Sequence, residues 1–238
     1  MKLLITVSYI ITFTLLPEIT FSQSEITTLD KWSDQELVMS HFHNNIAKDE
    51  EKYHLYDDWR IGDMYLSSGT LIKGFPLRYD LRYNLLEINI NDEIKVQTIN
   101  RIVWFTLLEE ETGILEEFRS CENYKNEDGS AIQGICKMHS RGKYSLITNI
   151  YYVMMEPDYI KAFDVGNKEM KVFVKDRSLL CAEHNAYPKP SGKKAIYRIF
   201  GSQSRKAAEF AGQKELNPRK QSDLKTLVDY MNSFEESQ

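Results

Sequence analysis

Apolar and polar residues alternate most cleanly from Leu77 to Tyr83, where Leu77, Tyr79, Leu81 and Tyr83 are separated by Arg78, Asp80 and Arg82. Period two gives a strand one apolar, aromatic face and one charged face. Leu86, Ile88 and Ile90 continue the alternation, Asn91-Asp92 makes a turn, and Ile94 and Val96 begin another strand. Upstream, Met64-Tyr65-Leu66, Ser67-Ser68-Gly69 and Thr70-Leu71-Ile72 read as strand, tight turn and strand. Gly74 and Pro76 punctuate the next step, and Ile102 to Phe105 reads as a strand buried on both faces. A second β stretch runs from Ile114 to about Glu183. It holds a turn at Asn126–Gly129 and strands over Ile132–Met138, Tyr144–Met155 and Lys171–Val174, the last after a turn at Asp164–Asn167. Gly69–Gly74 echoes Gly129–Gly134, either as two hairpins built alike or as a duplication.

The period lengthens at both ends. After a loose lead-in over 23–32, Ser33 with Glu36 makes a capping box, and Val38, Phe42 and Ile46 give the helix that follows one apolar stripe. Acidic and polar residues from Lys48 to Asp58 read as an exposed connection. Beyond Pro188 and Pro190, helices are expected over Lys193–Phe200, closed by Gly201, and over Ser204–Glu215. A third, capped at Ser222-Asp223, carries the stripe Leu224, Leu227, Val228 and Met231. The expected fold is α+β and mainly β: an antiparallel meander or partly closed sheet with an N-terminal helix and a C-terminal helical lobe. The segments fall at 1–22, 23–58, 59–187 and 188–238.

The first segment has its own pattern. Met1-Lys2 precedes an almost unbroken apolar run from Leu3 to Leu16, ended by Pro17 and Glu18, and Thr20-Phe21-Ser22 sets small residues before a cut ahead of Gln23. That is the layout of a secretory signal peptide. The apolar run is shorter than the ~20 residues a membrane-crossing helix needs. Loss of residues 1–22 removes Lys2 and Glu18, so the mature chain keeps its formal charge of -5. The expected location is the periplasm or the cell surface, with no transmembrane helix after cleavage.

Charge is uneven along the rest. Residues 23–63 carry ten acids against four bases, and residues 188–220 carry nine bases against two acids, Glu209 and Glu215. A basic segment can meet phosphate, anionic lipid or an acidic partner. The plainer expectation is that it pairs with the acidic N-terminal segment or faces water, and no nucleic-acid partner is expected for an acidic exported chain.

Among candidate chemistry the cysteines come first. Export permits disulfides, and Cys121 and Cys136 bracket the Asn126–Gly129 turn on two expected hairpin partners. A bridge there is worth roughly 3 kcal/mol in the chain-entropy model, with Cys181 left over and buried. A competing pattern is two C-x-x-H pairs, Cys136/His139 and Cys181/His184, the ligand types of structural zinc. Residues three apart on a strand face opposite ways, and Cys136 cannot serve both roles, so no metal or other cofactor is expected. His41 and His43 fall off the helix stripe, toward solvent. Tyr124 and Ile135 occupy the positions where a calcium loop needs acids. Glu109–Glu111 and Glu116-Glu117 could offer paired carboxylates but read as a solvated hairpin. No G-x-S-x-G elbow, H-E-x-x-H pair or phosphate-binding glycine loop occurs. The Arg78/Asp80/Arg82 face is the candidate ligand-binding surface, because arginine suits carboxylates and phosphates. Its plainer reading is the polar side of an amphipathic strand.

The segment Gly62–Leu66, Gly69-Thr70, Gly74 and Pro76–Asp80, with Pro157-Asp158-Tyr159, Asp164-Val165-Gly166 and Asp223-Leu224-x-x-Leu227-Val228-x-Tyr230, resembles an uncharacterised family of exported, β-rich Gram-negative bacterial envelope proteins. The similarity covers about residues 60–234. It implies bacterial origin and an envelope location, and it carries turns and strands rather than catalytic residues. The expected function is a non-catalytic binding or accessory module whose partner is an envelope protein or a small ligand. The alternative is a hydrolase acting on envelope material.

Overall fold

The computed structural model describes residues 26–30, 35–44, 53–155 and 171–234. The signal peptide, Pro157–Tyr159 and the Asp164–Asn167 turn lie outside the described residues. Twelve strands there form one sheet. They are β1 (Thr27–Asp30), β2 (His43–Asn44), β3 (Arg60–Leu66), β4 (Thr70–Asp80), β5 (Leu85–Ile90), β6 (Glu93–Thr98), β7 (Ile102–Leu108), β8 (Leu115–Ser120), β9 (Ile135–Ser140), β10 (Tyr144–Met155), β11 (Lys171–Ala182) and β12 (Asn185–Pro188). The order is β12-β11-β10-β9-β8-β7-β3-β4-β5-β6-β2, with β1 parallel to β4 and off this path. The fold is α+β, a mainly antiparallel meander not closed into a barrel, with an N-terminal strand and helix and a C-terminal helical lobe.

β4 is longer than its punctuation suggests, running straight through Gly74 and Pro76. Pro76 stands opposite Ile61, just before an irregular step in the β3–β4 register between Gly62 and Met64. A register irregularity is where a missing ladder donor is tolerated. The Gly74 N–H donates to the Asp63 carboxylate at 3.0 Å, and the Asp63 N–H to Thr106 Oγ1 at 3.0 Å. Gly62 is required there, since a Cβ would overlap the Thr106 carbonyl of β7.

Inside the curl of β3 to β8, Tyr79, Phe105 and Phe118 stack in series with centroids 5.5 and 5.2 Å apart. Met64, Ile72, Phe75, Leu77 and Leu86 complete this buried cluster. β7 is buried on one face only: Ile102 and Phe105 are inside, while Val103 is exposed and Trp104 stacks on Tyr65 outside.

Three differences mark the N-terminal region. Part of the loose lead-in is strand β1, and the helix, α1, spans Gln35–Ser40. Val38 and Phe42 are buried as its stripe requires, while Ile46 lies outside the described residues. His41 and His43 follow the helix rather than ride on it, and His43 pairs with Val96 of β6.

At the other end, α2 (Lys193–Ile199), α3 (Ser204–Gln213) and α4 (Gln221–Ser233) bury Ile196, Phe200, Ala211, Leu224, Leu227 and Met231 against Tyr144 and Leu146 of β10. Asp223 sits in the first turn of α4 and accepts the Asn217 N–H at 2.8 Å. Asn232 clips α4 to the sheet, accepting the Tyr144 N–H at 3.0 Å and donating to the Tyr144 carbonyl at 2.8 Å. No helix among the described residues is long and apolar enough to cross a membrane.

Candidate functional site

Register places two different rows of side chains across β8 to β11. Phe118, Lys137, Thr148 and Ser178 align on one face, and Arg119, Cys136, Asn149 and Arg177 on the other. Each row borders a cleft.

On the first face a cleft of about 550 Å³ separates Leu55 and Tyr56 from Gln221 at the start of α4. Glu116 forms an ion pair with Lys137 and accepts the Tyr56 hydroxyl at 2.8 Å. His139 is the residue the β9–β10 register skips, and it lines the cleft beside Lys137. Its Nε2 lies 2.8 Å from both Thr148 Oγ1 and the Gln221 amide nitrogen, and Gln221 also accepts the Ser178 hydroxyl at 3.4 Å. Burial would raise the Glu116 carboxyl, but the bonds from Lys137 and Tyr56 outweigh it and hold it below the usual range. Burial, then the Glu116 bond, pushes the Tyr56 phenol well above its ordinary value. Burial, then the Lys137 charge, holds His139 low. General acids and bases work best with ionisation near the working pH, and all three groups are moved away from neutrality. This cleft is a polar seam between lobe and sheet.

On the second face Cys121 and Cys136 form a disulfide, with Cα atoms 5.3 Å apart. Cys181 is free and buried, and burial pushes its thiol up to about 12. The disulfide takes Cys136 out of the two-thiolate, two-imidazole set. Asn149, buried, donates to the Gln133 carbonyl at 2.8 Å and accepts Arg177 Nε at 3.0 Å, and Arg177 reaches Asn126 at 3.2 Å. The loop between β8 and β9 is thus pinned by one covalent bond and one buried amide. Its far side joins the Lys125 N–H to the His184 carbonyl and the Ala186 N–H to the Lys125 carbonyl, both at 2.8 Å.

That pinned loop is one wall of a cleft of about 810 Å³. Glu122, Asn123 and Tyr124 come from the loop, Ile99 from the turn before β7 and Val103 from β7 itself. Arg141, Gly142 and Ser145 line the β9–β10 turn, while Glu183 and His184 line the β11–β12 turn. Arg119 and Met138 complete the lining. Arg119 Nε donates to Glu117 Oε1 at 2.6 Å, and Arg141 lies 3.5 Å from the same oxygen. Two guanidiniums therefore share one partly exposed carboxylate, with Glu122 and Glu183 nearby in the lining. Burial raises the Tyr124 phenol, keeping its hydroxyl protonated. His184 Nδ1 is 3.2 Å from the Asn123 carbonyl.

Arg78 and Asp80 are buried. Arg78 Nε donates to Glu87 Oε2 at 2.9 Å, its guanidinium lies 4.5 Å over the Trp59 ring, and His54 Nε2 is 3.5 Å from the same Glu87 oxygen. Asp80 Oδ1 accepts the N–H groups of Arg82 and Tyr83 at 2.7 and 3.0 Å, closing a turn. Arg82 lies 4.7 Å over the Tyr53 ring. The segment 53–55 pairs along Tyr79–Leu81, which is what sequence reasoning missed. Glu116 and Glu117, adjacent on β8, serve opposite faces rather than one acid–base pair. Arg141 and Gln221 carried no sequence signal, being brought in by a turn and by the lobe. Among the described residues, no three His, Cys, Asp or Glu side chains gather to hold a metal ion.

The fold and the two clefts define an open-sheet α+β protein with a disulfide-walled pocket. Comparison with protein families, with curated proteins and with solved structures gives no match.

Proposed function

We propose that the chain is an exported, non-catalytic binding module of a bacterial envelope, and that the disulfide-walled cleft is its ligand site. The observation that carries this reading is the lining of that cleft. Arg119 and Arg141 stand with Glu122 and Glu183 around apolar Ile99, Val103 and Met138. Its volume of about 810 Å³ lies within the span of small-ligand pockets. Guanidiniums recognise carboxylates by fork geometry, and carboxylates take ammonium groups. A lining with both signs and an apolar floor suits a compact ligand that also carries both, the chemistry of a short peptide. The sequence resemblance and the signal-peptide layout support the envelope location.

Calorimetric titration with peptides of about two to five residues tests the reading, a range set by pocket size. Saturable binding that is lost in Met138→Trp, with melting unchanged, supports it. Absence of saturable binding, or equal binding by Met138→Trp, contradicts it.

A further inference from the structure

The nine bases of residues 188–220 do not meet the acidic N-terminal segment among the described residues. Seven of them are exposed on α2, α3 and the loops around them, while Lys189 and Lys206 are half-buried. Lys193, Lys194, Arg198, Arg219 and Lys220 are all exposed. The ion pair made within the set is Arg205 with Glu209, 2.8 Å apart on the surface of α3. Lys189 donates to the Arg219 carbonyl at 3.2 Å, and Lys206 lies over the Phe234 ring at 2.9 Å. Nine bases against two acids give this stretch +7 in a chain whose total is -5, leaving -12 elsewhere. Taken to residue 238, the lobe segment carries ten bases against six acids, +4 against -9 for the rest of the chain, so the molecule is charge-segregated.

We propose that this lobe docks the protein onto a membrane surface carrying anionic lipid. Three features favour a charged plane over a single anion or an inserted helix. The bases are spread over two helices and their flanking loops, with Lys194 and Arg198 one turn apart on α2, instead of converging on one point as donors to a lone phosphate do. The apolar sides of α2, α3 and α4 are already buried against each other and β10, so the attraction is electrostatic. Tyr197 on α2, and Phe210 stacked on Tyr230 at 3.5 Å, place half-buried aromatic rings on the same lobe, the residue type that settles at lipid headgroups. Clustered Lys and Arg on a helical surface gain affinity for anionic lipid additively and lose it with salt. The inference is independent of the cleft and its ligand.

The test is co-sedimentation of the full chain with vesicles of phosphatidylglycerol and phosphatidylethanolamine, and with neutral phosphatidylcholine vesicles. The chains compared are the parent, a lobe variant (Lys193→Gln, Lys194→Gln, Arg198→Gln, Lys220→Gln) and a control (Lys73→Gln, Arg101→Gln, Lys125→Gln). Preferential binding to anionic vesicles is expected, reduced about tenfold or more in the lobe variant, with the control unchanged. Equal binding to neutral vesicles, which the apolar Leu3–Leu16 run would cause, overturns the proposal. So does an equal loss in the control. Binding to soluble heparin but not to vesicles also overturns it, in favour of an acidic polymer partner. Matching melting curves establish that the exposed substitutions leave the fold intact.

Discussion

Two arginine–glutamate constellations lie in the same sheet, and they have opposite fates. Arg78 and Glu87 pair across β4 and β5 with both side chains about 5% exposed, with His54 beside them and Trp59 beneath the guanidinium. Arg119, Arg141 and Glu117 meet at the rim of the large cleft with side chains 23%, 61% and 35% exposed. The first is closed within the fold and the second is open to solvent. Alternation along a strand says which residues share a face. Whether that face stays open depends on chain arriving from elsewhere, here residues 53–55 for the first and the disulfide loop for the second.

The sharpest way to break the comparison is Glu87→Ala. Removing one partner of a buried pair leaves an uncompensated charge and is expected to cost about 3–5 kcal/mol in denaturant unfolding, with ligand affinity unchanged once folded. Next comes Cys121→Ser with Cys136→Ser. Loss of this bridge, at a sequence separation of 15, is expected to cost about 3 kcal/mol. It should also abolish binding, because the cleft loses the anchor of one wall. Asn149→Ala strips the buried amide behind the same loop and is expected to cost about 1–3 kcal/mol while weakening binding. Glu117→Gln should change stability by less than about 1 kcal/mol, since its pairs are screened by solvent, yet alter affinity measurably by freeing both guanidiniums.

The smallest effect is a pH dependence at the polar seam. His139 has a folded pKa below its unfolded value of about 6.5. The unfolded chain therefore binds the proton first, so the contribution is present above that pH and is lost as pH falls through the lower folded value. Protonated Nε2 can no longer accept from Gln221. His139→Gln is expected to flatten this part of the stability–pH curve, read by thermal melts across the window.

Much of the scaffold was legible in sequence because period two and turn residues are local signals. The β8–β9 hairpin, the Cys121–Cys136 bridge and the three C-terminal helices all follow from local spacing. The strand through Gly74 and Pro76 was not legible, because its continuity depends on an irregular register with β3 and on Asp63 capping the Gly74 N–H. The Arg78/Asp80/Arg82 face was visible as charged, but its burial depends on residues 53–55 bonding Tyr79 and Leu81. The cleft itself was hidden, since Arg119, Arg141 and Glu183 become neighbours only through register and turns. The echo of Gly69–Gly74 in Gly129–Gly134 has a conformational basis: all four glycines have positive φ, and Gly69 and Gly129 each close a turn to the residue three before.

Hydrogen exchange with and without a bound short peptide tests the central claim most directly. The account predicts protection gathered at Ser120–Lys125, Arg141–Ser145 and Glu183-His184, on the disulfide side of the sheet. Protection centred instead on Tyr56, His139 and Gln221, or none at either cleft, would contradict it.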